Sequence, residues 1–520
     1  MGRTAPMWLT ASMWLTASVW LAIAGSVLAF GLGRDFERPK VLCLSVAAAM
    51  LIPRACLIWP MWPRRVRAVV LIWLLVLAAA VLCALDPARA LIGSFERSQG
   101  AWVLACCTIF ALARVPAASI IAPVTIAVIV SGAWALAQFF GVESAIFSAL
   151  GFLQPSSETG WQRTFGWRAF ASFGNPMALG GWLAMAWVFL FSVRFQADYF
   201  QVEHSNRSVL SMRMLECALF FGAIGVLLSG TRAAWVALSV LALLQLRQKK
   251  MLRIIGLTAF TALAVALLSV RFDSVRARFE LAGAALSTAE ITLVDGLGHP
   301  DPVPAARLWL GYGPDLQVAV LEQHLPQRAV GVMPDRAHQM LLDGYLSIGV
   351  LGVASWLGLM WALWRSHIAA NNTNNNGTAF ALLAALITWQ FGFALSAEKV
   401  LFALLLGSIC APKFQEVGLS SAAAIPVKYL GWPNVFAVLF AIFSILSYIP
   451  QSILSLDSFA PWRRPERAIV HFEHARLAII ANQGELAEQE LGRAVALDPW
   501  RSDLARARAN LARELEHSNP

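Results

Sequence analysis

The sequence predicts an all-α fold: a polytopic transmembrane helical bundle of about 12–13 spans, one long outer loop and a small helical C-terminal extension. Three observations predict it. The 520 residues are 58% hydrophobic and only 13% charged, where a soluble domain carries roughly a quarter charged residues. Apolar runs of about 18 or more residues recur, the length at which a helix crosses the hydrocarbon of a bilayer. Beyond about residue 460 the texture changes to a charged, amphipathic helical pattern.

The runs lie roughly at 13–31, 41–60, 68–85, 101–113, 118–140, 179–194, 214–229, 231–246, 254–270, 343–364, 378–395, 398–412 and 430–450. The first is long enough to remain a span rather than a cleaved leader. Pro53 and Arg54 interrupt the second, which is expected to kink or to lie partly at the interface. The fourth is short, and only "SGTR" separates the seventh from the eighth. All seven cysteines lie in or beside these runs, which excludes a disulfide framework in the long loop or the tail. "NNTNNNG" at 371–377 reads as a polar linker.

Lys and Arg in short loops orient the bundle. "RRVR" at 64–67, "RQKKMLR" at 247–253 and the loop 194–213 fall on one side by parity, taken as cytoplasmic together with the N-terminus. The loops 86–100, 141–178 and 271–342 and the tail then lie outside. A structureless loop as long as 271–342 points to function. The net charge of +10 is scattered over loops, which argues for topology and anionic lipid and against nucleic acid as the partner.

Residues 1–450 read as the membrane domain and 461–520 as a separate helical tail. In the tail Ala475, Ala487, Leu491, Ala494 and Pro499 fall where a tetratricopeptide repeat places its small residues, its packing hydrophobe and its closing proline. His471 and His474 stand where that pattern expects apolar residues. One such unit cannot bury its own face, so the tail is expected to dock on the membrane domain or on a protein partner.

The outer loops gather the chemistry-bearing residues. Loop 86–100 offers Arg97, loop 141–178 offers Arg163, Arg168 and Asn175, and Arg232 opens the eighth run behind Ser229 and Thr231. The long loop ends on "PDRAHQ", with Asp335, Arg336, His338 and Gln339 at the mouth of a span. An ionisable residue at a span end is costly and marks a functional candidate; its plain alternative is a snorkelling side chain. Arginine suits bidentate binding of phosphate oxygens. The long loop shows no paired carboxylates for a bridging Mg²⁺, so no metal is expected and arginines would neutralise a leaving diphosphate. Pro334-Asp335 reads as a helix start, which places His338 in the first turn, where the dipole disfavours the imidazolium and leaves a base for an incoming hydroxyl.

The serial order of "GSFERSQG", "RAFASFGNPMALGGWLAM", "LLSGTRAAWVAL", "RLWLGYGPD", "PDRAHQMLLDGYLSIGVLG" and "ALITWQFGFALSAEKVLFALLLG" resembles the bacterial O-antigen ligase and Wzy polymerase superfamily. The similarity covers roughly residues 90–412. The resemblance implies a multi-pass inner-membrane protein with a periplasmic long loop and tail. It implies a glycosyltransferase that needs neither metal nor cofactor and takes its glycan from undecaprenyl diphosphate. The acceptor would be a lipid A-core sugar, a protein hydroxyl or, in the polymerases, another lipid-linked repeat. The family's "SR" arginine maps onto Arg232 in "SGTR", its loop histidine onto His338, the basic residue of its early outer loop onto Arg97 and its "GNPN" segment onto Gly174-Asn175-Pro176. This sequence departs from the family at Met177, in place of a second Asn, and at Gln339, in place of the Asn that usually follows the histidine. A transporter of lipid-linked glycans and a non-catalytic scaffold remain the other classes. A transporter would want midplane charges and internal repeats, and few such charges are evident beyond Arg54 and Glu216.

Overall fold

The computed structural model describes residues 7–29, 37–94, 97–142, 168–199, 206–245, 272–287, 293–295, 297–324, 337–369, 376–390, 392, 394–410, 431–448, 464–481, 483–500 and 502–518. Every regular element among them is helical, apart from one isolated bridge between Val294 and Pro300. Among the described residues six helices are long and apolar enough to cross a membrane: Arg38–Met61, Arg64–Leu82, Ala117–Phe139, Pro176–Arg194, Met212–Ser229 and Met340–Ser366. Shorter apolar helices cover Met13–Leu28, Ala101–Leu112, Gly377–Gln390 and Pro433–Ile445. Helix Ser396–Ile409 occupies another expected run, and the run 254–270 lies outside the described residues.

The chain forms two compact units. The first comprises Met1–Arg67, Cys106–Phe272 and Trp361–Ser444. Helix Pro176–Tyr199 is its centre, with 78% of its apolar window buried. Small residues permit that close packing. A Cβ on Gly180 would stand 2.6 Å from the hydroxyls of Ser229 and Thr231, so glycine there lets the turn before Arg232 lie on the central helix. Helix Arg38–Ile58 runs through Pro53 without ending, and Arg54 donates from Nε to the Ala113 carbonyl at 2.8 Å. Arg54 is thereby spent on the carbonyls that close a neighbouring helix.

The second unit comprises Ala68–Ala105, Asp273–Met360 and Ile445–Pro520. The window of Arg64–Leu82 is only 28% buried and exposes Leu71, Ile72, Leu75 and Leu82, an apolar face suited to lipid. The loop 271–342 is not structureless. It folds helices Phe272–Ser287, Arg307–Leu310 and Gln317–His324 around a core of Ala284, Leu293, Tyr312, Leu316 and Val320. Buried Arg307 organises it, donating from Nε to Asp301 at 2.7 Å and to the carbonyls of Cys83 and Gly311.

Helix Met340–Ala369 is broken at Gly349, whose φ of 65° only glycine adopts freely. A Cβ there would meet the Trp309 carbonyl, so "LWLGYG" crosses against the break. Tyr312 and Gly313 donate to the carbonyls of Leu346 and Ser347 at 2.8 and 3.0 Å, supplying partners the broken helix lacks.

The tail folds as helices Arg464–Ile480, Gly484–Leu497 and Ser502–Ser518. Ala475, Ala487, Leu491 and Ala494 are fully buried between them, the positions the repeat pattern selects. Trp500 enters the core formed by Ala84, Ala90 and Tyr312, and Arg89 pairs with Asp498 at 3.3 Å, both buried.

Candidate functional site

In the second unit the residues chosen from sequence sit on two turns held by one short segment. The loop after helix Pro87–Ile92 carries Arg97. Asp315 pins it, its Oδ2 accepting the Ser94 and Gln99 amides at 2.6 and 3.3 Å. Two residues on, Gln317 donates to the hydroxyl of Ser347 and the carbonyl of Asp343. Asp343 in turn accepts the Ala337 amide at 2.8 Å and so fixes the turn that presents His338. Asp315–Gln317 is therefore a brace between the Arg97 loop and the His338 turn.

That brace holds strained backbone. Ser98, Asp315 and His338 all have left-handed φ, at 49°, 64° and 55°. Each costs of order 1–3 kcal/mol, and such residues gather where surrounding structure enforces a functional geometry. Asp315 and Asp343 carry no local signal. Both are single carboxylates in apolar or glycine-rich sequence, and only their through-space partners reveal them.

The helix start departs from the sequence reading. The helix begins at Met340, with Gln339 as its cap: Oε1 of Gln339 accepts the Leu342 amide at 2.7 Å. His338 thus precedes the cap instead of lying in the first turn. The cause is Asp343, which reaches back to Ala337 and holds the residues before the cap out of helical conformation. Gln339 has an equally local job. Its longer side chain still supplies the amide oxygen that a capping residue needs. Arg336 and Asp335 lie outside the described residues.

In the first unit Arg168, Asn175 and Arg232 are carried by interlocked backbone. Gln138 accepts the Phe170 and Ala171 amides at 3.0 and 2.7 Å and holds Ala171 at a left-handed φ of 44°. Ala169 donates to Leu228 at 2.9 Å, and the Thr231 hydroxyl donates to Pro176 at 2.8 Å. The Arg168 loop and the turn before Arg232 are therefore one assembly. Asn175 caps helix Pro176–Tyr199, its Oδ1 accepting the Met177 amide at 2.8 Å. This cap needs only an amide N–H at the next position but one, which Met177 supplies as well as Asn would. Arg232 is the first residue of helix Arg232–Gln245, where a cation opposes the dipole and an incoming anion is favoured by both.

Sequence reasoning missed Lys40. It is fully buried, bonded to Glu37 at 3.1 Å and placed 5.2 Å from the centre of the Phe173 ring, so it braces the Arg168 loop from behind. The second oxygen of Glu37 accepts the Ser396 amide at 3.2 Å. The spacing of Glu37 and Lys40 at the head of an apolar run was the available signal.

Arg97, Arg168, Arg232, His338 and Gln339 are all half-buried. Asp315, Asp343 and Lys40 behind them are buried. No family model matches the chain and no curated protein matches it, so the likeness to the O-antigen ligases rests on the motifs alone.

Proposed function

We propose that the protein is an O-antigen ligase-like glycosyltransferase of the bacterial inner membrane, acting at the periplasmic face on a glycan carried by undecaprenyl diphosphate. The observation that carries this reading is the strained His338, fixed by Asp343 at the mouth of a candidate span and braced through Gln317 and Asp315 to the loop of Arg97. The motif resemblance supports the same residues.

In the reaction the acceptor hydroxyl oxygen attacks the anomeric carbon of the donor. Its proton passes to the imidazole of His338. The bond from the anomeric carbon to the diphosphate oxygen breaks, undecaprenyl diphosphate leaves with the electron pair, and the configuration inverts. Arg232, with Arg97, Arg168 and Arg336, neutralises the leaving diphosphate, the role for which a planar guanidinium is suited. The acceptor is a lipid A-core sugar or a protein hydroxyl; a Wzy-type polymerase would use a second lipid-linked repeat.

A second reading, transport of the lipid-linked glycan, draws on the Glu37–Lys40 pair buried among apolar helices. Purified protein, given lipid-linked donor and acceptor in detergent, separates the two. The transferase reading predicts a glycosylated acceptor and released undecaprenyl diphosphate, unchanged by EDTA, and lower yield with Arg232→Lys and lower still with Arg232→Ala. An unmodified acceptor, with donor crossing the bilayer of reconstituted vesicles, would establish the transporter.

A further inference from the structure

The two histidines that break the repeat pattern of the tail face a shared carboxylate. His471 and His474 lie three residues apart on helix Arg464–Ile480, a spacing that puts both on one face. Glu490 reaches them from helix Gly484–Leu497. Nδ1 of His471 stands 2.7 Å from Oε2 of Glu490, and Nδ1 of His474 stands 3.6 Å from the same oxygen. The possible donor atoms of all three residues lie within 4.8 Å of one another.

A hydrogen bond accounts for His471 and Glu490. It does not account for His474, which is 59% exposed yet turns the same ring nitrogen toward the same oxygen from beyond hydrogen-bond range. Packing does not call for these histidines either. The helices already close on two apolar clusters, one of Ala475, Ala478, Ala487, Leu491 and Leu511 and one of Ala468, Ala494, Val495 and Leu504.

We infer that His471, His474 and Glu490 form a binding site for a zinc-type divalent ion that clamps the first two helices of the tail. Two imidazoles and one carboxylate are a donor set that zinc accepts, with its fourth position left to water. Ligands about 2.0–2.1 Å from a tetrahedral ion stand roughly 3.3–3.4 Å apart. The His474–Glu490 separation of 3.6 Å is close to that spacing, and the His471–Glu490 pair at 2.7 Å opens by ~0.6 Å as the metal replaces its shared proton. Arg493 donates to the other oxygen, Oε1, and fixes the carboxylate as an outer-shell partner does.

The site is separate from the residues assigned to transfer, and its test does not use activity. Full-length protein without a polyhistidine tag is stripped with EDTA, dialysed and titrated with Co²⁺, then with Zn²⁺ against a chromogenic chelator. The expected result is one equivalent of Co²⁺ with the visible absorption of a tetrahedral site, displaced by Zn²⁺. His474→Ala, at an exposed position, and Glu490→Gln should each weaken Zn²⁺ binding by at least the ~10–100-fold that loss of an outer-shell partner costs. Cys56→Ser and Cys217→Ser, at the two exposed cysteines, should not. Binding equal in wild type and His474→Ala, or binding removed by the cysteine changes alone, would overturn the site.

Discussion

At the scale of single residues, the proposed site depends on a histidine in an unfavourable backbone conformation. A left-handed φ costs an L-residue roughly 1–2 kcal/mol, and His338 holds 55°. Replacing it with glycine removes that strain and adds about 0.5–1 kcal/mol of unfolded-chain entropy. His338→Gly should therefore melt at the wild-type temperature or slightly above it, while losing transfer. His338→Val, β-branched and ill-suited to positive φ, should melt lower. Thermal unfolding followed by tryptophan fluorescence distinguishes them; a glycine variant less stable than the valine variant would show that the turn is not strained as described. The histidine itself was legible in the sequence, because an ionisable cluster at the end of an apolar run is conspicuous. Its support was not. Asp315 is 23 residues from His338 in sequence and Asp343 lies inside the following helix, so only the fold brings their bonds to bear.

At the scale of elements, helices were legible and their interruptions were not. Apolar runs of span length give their own secondary structure, because a chain in hydrocarbon must satisfy its backbone internally. Glycine inside such a run is common, so nothing in "LSIGVLGV" announces that the helix breaks at Gly349 and receives Tyr312 and Gly313 as partners. The loop 271–342 reads as structureless in the sequence because its core residues are spread over more than 400 positions, from Ala84 to Trp500. The tail's attachment was hidden for the same reason: Arg89 and Asp498 meet across 409 residues. Both are buried, so removing one partner leaves an unpaired buried charge and should cost about 3–5 kcal/mol. Asp498→Ala should release the tail, read as faster hydrogen exchange in helices Arg464–Ile480 and Gly484–Leu497. The double change Arg89→Met and Asp498→Leu should cost much less. Equal protection in Asp498→Ala and wild type would mean the pair does not hold the tail.

At the scale of the whole molecule, the proposed chemistry requires the long loop and the tail to lie outside. The short basic loops predict that orientation. Asp301 and Asp498 are buried in ion pairs and are poor places for a probe, whereas Pro302 and Gln489 are exposed. On a background without Cys56 and Cys217, cysteines at those two positions should react with an impermeant maleimide in intact spheroplasts. Reaction of both only after lysis would invert the topology and remove the site from its substrate. In the proposed reaction His338 takes the acceptor's proton while the arginines hold the donor. General-base catalysis is worth roughly 10²–10⁴-fold. The direct measurement is the transfer rate and the donor affinity of His338→Ala, side by side with wild type, on purified lipid-diphosphate-linked glycan. A rate lower by that factor with donor affinity unchanged is the predicted result; wild-type turnover by His338→Ala would contradict it.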